Sequence, residues 1–432
     1  MKTIIFALGL STLVPAAPAT WTPCGDGLLC ATVTVPVDWD RPDGPSLERQ
    51  VVKLPATGER RGTLLTAPGG PGEDGVATLR ENAGRYGPIR DHYDVIGYQP
   101  RNSGTGELLP ASCRTPALTT VEDPPDRATW DAQARTLRAA VEKCRADDAS
   151  GLMENLDSLD VARDMDAVRR LAGADRVHVL GWSYGGIAAT AYVRLFPGRV
   201  LTFTADGTPD QIGGPPEPDP DAPVAPPGPA FDAFADWCDC GDVRATWRKI
   251  VADAPSGMYV KPFLASYLNT PGLWPQLKDG IQRAAAGDYS FFEEAGKGLG
   301  FLTMPAMMAA RCPDALGYQS YRAMVKGRAH EDRVSPYSGG ISFESQLCAG
   351  WPIKPANPPR PLAAEVPALG VGGIGGDHAM TAALVSHFPR HATVKLESPQ
   401  HVVHLNPCVA GHVVRHMDQQ GIRGALVCQA TA

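Results

Sequence analysis

The chain has 432 residues, 43% of them hydrophobic, enough for a large core and better suited to one big domain with an insertion than to three equal domains. Its formal net charge of -7 argues against nucleic acid, which asks for a basic face. Beyond the N-terminus no segment offers about 20 uninterrupted apolar residues, so no membrane-spanning helix is expected.

At the start, Met1-Lys2 supplies a positive charge, Thr3 to Val14 is almost wholly apolar, and Ala17-Pro18-Ala19 fits the small-x-small pattern of a signal-peptidase site. The expectation is a secreted, extracellular protein that loses residues 1–19. Ten cysteines fit an oxidising compartment, where thiols pair. Spacing suggests Cys24 with Cys30, Cys113 with Cys144, and Cys408 with Cys428. Cys238, Cys240, Cys312 and Cys348 remain; Cys238-Asp239-Cys240 is too tight to close on itself comfortably, so distant partners are expected. No C-x-x-C pair with matching histidines supports zinc, and neither a metal nor another cofactor is expected.

Strand-like runs bounded by Pro, Gly or Asp follow at Ala31–Val35, Gln50–Leu54, Gly62–Thr66 and Tyr93–Tyr98. Leu159, Ala162, Met165, Val168 and Leu171 recur at helical spacing within 156–172. The β-branched run Val177-His178-Val179-Leu180 then enters Gly181-Trp182-Ser183-Tyr184-Gly185-Gly186, and a small-residue helical stretch begins at Ile187. After Val200–Thr204 come a proline-rich stretch over 213–229, an apolar segment with helical texture, and a second proline-rich stretch over 351–361. Further strand-like runs are Val366–Val371 and Ala392–Leu396. Strands alternating with helices predict an α/β fold, a mostly parallel sheet flanked by helices, with its active residues at the carboxyl ends of strands. A helical cap over 212–360 is expected to interrupt a catalytic domain made of 20–211 and 361–432.

The glycines two before and two after Ser183 form G-x-S-x-G, a turn in which crowded elements push a serine hydroxyl into the open. A serine is a weak nucleophile at neutral pH and needs a base in hydrogen-bond reach and an acid to orient that base. His401, in the loop after the strand-like run 392–396, is the candidate base, with His404 its nearest rival. His412 and His416 sit four apart on an expected helix and read as surface or packing residues. The glycine-rich loop after Val366–Val371 ends in Asp377, the candidate acid; Asp206, at the end of the preceding core strand, is the alternative. Ala67-Pro68-Gly69-Gly70-Pro71-Gly72 follows an early strand, where an oxyanion donor belongs. Gly70 and Tyr184 N–H are the candidate pair, with Gly69 the alternative.

These segments together resemble the secreted actinobacterial tripeptidyl aminopeptidases, relatives of the proline iminopeptidases in the α/β-hydrolase superfamily. Val35-Pro36-Val37-Asp38-Trp39 after Cys24 and Cys30 resembles that family's opening, 67–72 its N-P-G-G-P-G loop, Asp94 to Arg101 its D-V-V-G-x-D-P-R segment, and 181–186 its G-x-S-Y-G elbow. Arg311-Cys312-Pro313-Asp314 with Cys348-Ala349-Gly350-Trp351-Pro352 is similar to its cap cysteines, and Cys408 with Cys428 to its C-terminal module. The resemblance implies an α/β-hydrolase fold and a serine exopeptidase that acts through an acyl-enzyme on free N-termini. Glu293, Glu294, Glu331 and Glu344 are the cap carboxylates available to meet such an amine. The chain departs from the family at Gly375-Gly376-Asp377, at Gln400-His401-Val402 and at Gln99-Pro100-Arg101-Asn102. Those departures leave open an esterase or lactone-type tailoring hydrolase with the same three residues, or a binding protein that has lost turnover. The expected partner is a peptide or a small acyl or ester substrate.

Overall fold

Successive residues of a strand point to opposite faces of its sheet, and here both faces are apolar. Leu65, Val179 and Phe203 belong to one buried cluster, with Val161, Met165 and Val168 of the helix Ser158–Leu171 and Ala188 and Tyr192 of the helix Gly185–Leu195. Their neighbours Leu64 and Leu180 belong to the other, with Val76 and Leu79 of the helix Gly75–Asn82 and Val409 and Val413 of the helix Pro407–Asp418. A sheet apolar on both sides is stable only between two layers of helices, and that is the architecture observed.

The structure is a computed structural model; it describes residues 20–430 except 104–107, 120, 122–123, 215–227, 256–257, 259, 316–319, 335–336 and 338–346. The expected leader, most of the first proline-rich stretch and Glu344 lie outside the described residues. The strands are β1 (Thr22–Pro23), β2 (Leu29–Pro36), β3 (Ser46–Leu54), β4 (Gly62–Ala67), β5 (Tyr93–Tyr98), β6 (Val177–Trp182), β7 (Val200–Asp206), β8 (Ala368–Gly373), β9 (His391–Glu397) and β10 (Gly424–Gln429). They form one sheet in the order β1-β2-β3-β5-β4-β6-β7-β8-β9-β10. Pairing is antiparallel from β1 to β3 and between β3 and β5, and parallel from there to β10. β6 and β8 are buried along their whole length, so their carboxyl ends deliver the following loops to one rim at the middle of the sheet.

Between β7 and β8 the described residues are helical wherever they are regular, from Pro229–Cys238 to Tyr321–Val334. Phe231, Phe234, Trp247, Leu264, Leu277, Ile281 and Phe292 pack into a third cluster of their own. Ala306, Met308, Ala309, Ala310 and Cys312, from the same interval, pack instead with the first cluster under the sheet. The insertion is therefore rooted in the main core by its later part. Among the described residues no helix is long and apolar enough to cross a membrane.

The cysteines pair as Cys24–Cys30, Cys113–Cys144 and Cys408–Cys428, the pairings their spacing suggests. Cys428 lies on β10, a strand the sequence pattern did not reveal, so that bridge ties an edge strand to the helix Pro407–Asp418. The expectation of distant partners for Cys238 and Cys240 is corrected: the structure joins them to each other, and Cys312 to Cys348. Asp239 adopts a left-handed conformation, φ 47°, at the end of the helix Pro229–Cys238 and brings the two Cα atoms to 5.1 Å. Aspartate tolerates that conformation because its short polar side chain bonds locally, which makes the tight return feasible.

Candidate active site

β6 ends at Trp182, and Ser183 turns the chain at φ 52° before the helix Gly185–Leu195 begins. The left-handed conformation of a non-glycine residue costs energy and persists where surrounding contacts over-determine it. Ser183 N–H donates to the Asp206 carbonyl at 2.8 Å, which ties the turn to the end of β7. The turn also needs glycine beside it: a Cβ on Gly185 would lie 2.2 Å from the Pro68 carbonyl oxygen. The spacing in the motif is thus a requirement of the approach between the elbow and the loop after β4.

His401 Nε2 lies 3.1 Å from Ser183 Oγ, and His401 Nδ1 lies 2.6 Å from Asp377 Oδ2. A carboxylate only accepts, so Nδ1 carries the proton and Nε2 is left to accept from the serine hydroxyl. The imidazole is 41% exposed and the Asp377 side chain only 8%, so the ring is reachable while the carboxylate beside it is sheltered. Burial pulls the His401 pKa down, but the hydrogen bond to Asp377 and the charges of Asp377, Asp206 and Glu73 outweigh it, and the net direction is above the ordinary 6.5. Asp377 is the first residue of the helix Asp377–Ser386 rather than the tip of a free loop. Gly207 makes the approach possible, since a Cβ there would meet Asp377 Oδ2 at 2.8 Å and His401 Cε1 at 3.1 Å.

The alternatives fall elsewhere. Asp206 does not bond to His401; its Oδ2 accepts from Val403 N–H at 2.7 Å, His404 N–H at 2.8 Å and His404 Nδ1 at 2.9 Å. His404 is buried and stacked on Trp182 at 5.0 Å between ring centroids, so it is not the exposed base. His412 is half-buried and bonded by Arg415, and His416 is fully buried, its pKa pushed down to about 4 by burial. Cys408, His412 and Cys428 offer ligand atoms within 4.8 Å of one another, but the two sulfurs are joined in a disulfide.

Of the two candidate glycines in the loop after β4, Gly69 is engaged: its N–H donates to Glu73 Oε2 at 2.8 Å. The same oxygen accepts from Trp182 Nε1 at 3.0 Å, and Oε1 accepts from Thr78 Oγ1 at 2.8 Å. The Gly70 and Tyr184 amides have no acceptor among the described residues. Glu73 was not singled out in the sequence; its place directly behind the glycine loop was the available signal.

Among the described residues the helical insertion touches the site at Asn269 and at Ala310 with Asp314. Asn269, just after the helix Lys261–Leu268, accepts the His401 N–H on its carbonyl at 2.9 Å. Tyr184 Oη meets the Ala310 carbonyl and Asp314 Oδ2. Asp314 also accepts from Ser158 Oγ at 2.7 Å and from Asn357 Nδ2 at 2.9 Å. Burial first, and the charge of Asp157 second, push the Asp314 carboxyl up to about 7, against the pull of those hydrogen bonds. Of the cap carboxylates, Glu293 and Glu294 are exposed and paired with Lys297, while the Glu331 side chain and Glu344 lie outside the described residues.

A family model described as alpha/beta hydrolase fold matches residues 67–233, the span from the glycine loop through the elbow. The serine protease Hip1 of Mycobacterium tuberculosis is 32% identical over 220 residues, 46% of this chain and 41% of that protein. A tripeptidyl aminopeptidase of Streptomyces lividans is 26% identical over 377 residues, 76% of this chain and 68% of that protein. Carboxylesterase B of Mycobacterium tuberculosis is 29% identical over 377 residues, 77% of this chain and 72% of that protein. The chain thus spans 41% of the length of the Hip1 proteins that it matches. This strand order and this elbow are those of an alpha/beta-hydrolase fold, the fold that the family model over 67–233 describes.

Proposed function

We propose that the chain is an exported serine hydrolase, an exopeptidase of the tripeptidyl or prolyl aminopeptidase kind, working through Ser183, His401 and Asp377. The observation that carries this reading is the continuous hydrogen-bond relay from Asp377 Oδ2 to Ser183 Oγ, at 2.6 Å and 3.1 Å. Ser183 Oγ attacks the substrate carbonyl carbon while His401 Nε2 takes its proton; Asp377 fixes the tautomer and stabilises the imidazolium. The oxyanion is held by Gly70 N–H and Tyr184 N–H, each such donor contributing on the order of 100-fold or more. His401 then gives its proton to the leaving amine, and a water activated by the same imidazole hydrolyses the acyl-enzyme.

In this reading residues 212–360 are a cap over a catalytic domain of 20–211 and 361–432. The separate apolar cluster of its helices supports this, as does the contact of Asn269 with the base loop, which walls one side of the site. Five disulfides among the described residues support a compartment outside the cytoplasm. The names of two relatives, a serine protease and a tripeptidyl aminopeptidase, favour peptides. A second reading, an esterase with the same residues, is favoured by the relative named carboxylesterase B. A profile over free and amino-blocked peptides of graded length, beside simple esters, separates the two. Among peptides, hydrolysis confined to those with a free N-terminus is expected, beside some turnover of activated esters; comparable rates on blocked and free peptides, or turnover of esters alone, would overturn the exopeptidase reading.

A further inference from the structure

Val402, next to the candidate base, has φ 63°, a left-handed conformation that a β-branched residue adopts only under constraint. The constraint is visible in the amides around it. His401 N–H goes to Asn269 O at 2.9 Å and Val402 N–H approaches Asp377 Oδ2 at 3.4 Å. Val403 and His404 N–H both go to Asp206 Oδ2, at 2.7 and 2.8 Å. Asp206 is fully buried, its other carboxylate oxygen has no partner among the described residues, and its own carbonyl accepts Ser183 N–H at 2.8 Å. One residue thus ties the nucleophile turn to the base loop, through its backbone on one side and its side chain on the other.

We propose that Asp206 is a positioning residue of this site, one that holds loop 401–404 against the left-handed turn at Val402 and adds negative charge behind the His401 imidazole. Its charge is spent on the loop and not on the Nδ1 proton, which Asp377 takes. The groups facing His401 are Asp377 from the helix Asp377–Ser386, Asp206 from β7 and Glu73 from the loop after β4, with His404 on the far side of Asp206. Asp377 and Glu73 remain when Asp206 is neutralised, so the effect of Asp206 is separable. The inference rests on the proposed roles of Ser183, His401 and Asp377.

The test uses the full chain with p-nitrophenyl butyrate, in wild type, Asp206→Asn, Asp206→Ala, Val402→Gly, the Asp206→Ala/Val402→Gly double variant, and Ser183→Ala. Asparagine keeps an acceptor for the two amides but removes the charge, so Asp206→Asn is expected to move the acid limb of kcat/KM to lower pH, by less than loss of a contact pair would because His401 is partly open to solvent. Alanine frees the loop, and a misplacement of about 1 Å costs about 100-fold in kcat. Val402→Gly removes the strain that Asp206 opposes, so in the alanine background it is expected to recover about tenfold. An unmoved acid limb in Asp206→Asn, or a double variant whose losses simply multiply, would overturn the proposal. If Asp206→Ala does not fold, the acid limb of Asp206→Asn decides alone. A Ser183→Ala chain that turns over like wild type would refute the triad itself; an inactive Ser183→Ala beside Asp206 variants that behave as wild type would refute only the role of Asp206.

Discussion

Replacing Gly207 by alanine puts a single methyl group between the candidate acid and base. The new Cβ would stand 2.8 Å from Asp377 Oδ2 and 3.1 Å from His401 Cε1, whereas ordinary contact begins at 3.4 Å. Relief asks the carboxylate to retreat by the difference between 2.8 and 3.4 Å, about 0.6 Å, which stretches its 2.6 Å bond to His401 toward the limit of a useful hydrogen bond. A displacement of about 1 Å can cost about 100-fold, so kcat is expected to fall by on the order of 10- to 100-fold with KM little changed. The left-handed φ of 57° at this position adds a conformational cost of roughly 1–2 kcal/mol to the alanine variant, a loss of a few degrees in Tm. Initial rates on an ester and a peptide substrate, with thermal melts on the same preparations, measure both effects. A variant with lowered Tm and wild-type kcat would refute the reasoning, because the strain would be present and the misalignment absent.

His401 titrates above 6.5 in the folded protein, and only its neutral form can accept the serine proton; kcat/KM is expected to fall as pH drops through that raised value, and a rate-against-pH profile with its acid limb well below 6.5 would contradict this. Asp377→Asn is expected to lower kcat on the order of 10,000-fold, through loss of the correct tautomer, while leaving the melting curve close to wild type. Asp314, raised to about 7 from an ordinary 3.8, binds its proton more tightly folded than unfolded. Its contribution to stability is therefore present at acid pH and is lost as pH rises from 3.8 through about 7; in urea titrations Asp314→Asn should flatten that part of the profile relative to wild type. Joint replacement of Cys312 and Cys348 by alanine opens a loop of 36 residues, for which chain entropy predicts a loss of about 4 kcal/mol, read from the urea midpoint.

Much of the sheet was legible because its signals are local. β4, β5, β6, β7 and β9 follow runs of apolar and β-branched residues bounded by Gly, Pro or Asp, and G-x-S-x-G is readable as a short motif although Gly185 is dictated by Pro68 in the loop after β4. His401 and Asp377 could be nominated because each follows a recognisable strand, and the structure brings both to Ser183. What stayed hidden is long-range. That Asp206 serves the amides of 403 and 404 and not the imidazole depends on a contact across nearly 200 residues, and the Asn269 carbonyl reaches His401 from inside the insertion. No pattern around Asn269 announces it. β10 carries the apolar run Ala425-Leu426-Val427-Cys428, but Ala425 and Val427 are exposed, and a run this short at the edge of the sheet is not told from a helix or loop by its pattern. The Cys238–Cys240 pairing turned on the backbone of one aspartate, which composition and spacing do not specify.

The central claim, that Ser183 is a nucleophile activated by His401, is tested most directly by reacting the protein with a fluorophosphonate and locating the adduct by peptide mass spectrometry. One adduct per chain on Ser183, absent from Ser183→Ala and greatly slowed in His401→Ala, is the predicted result, together with loss of turnover in both variants. Labelling at another residue, or hydrolysis by Ser183→Ala at the wild-type rate, would contradict it.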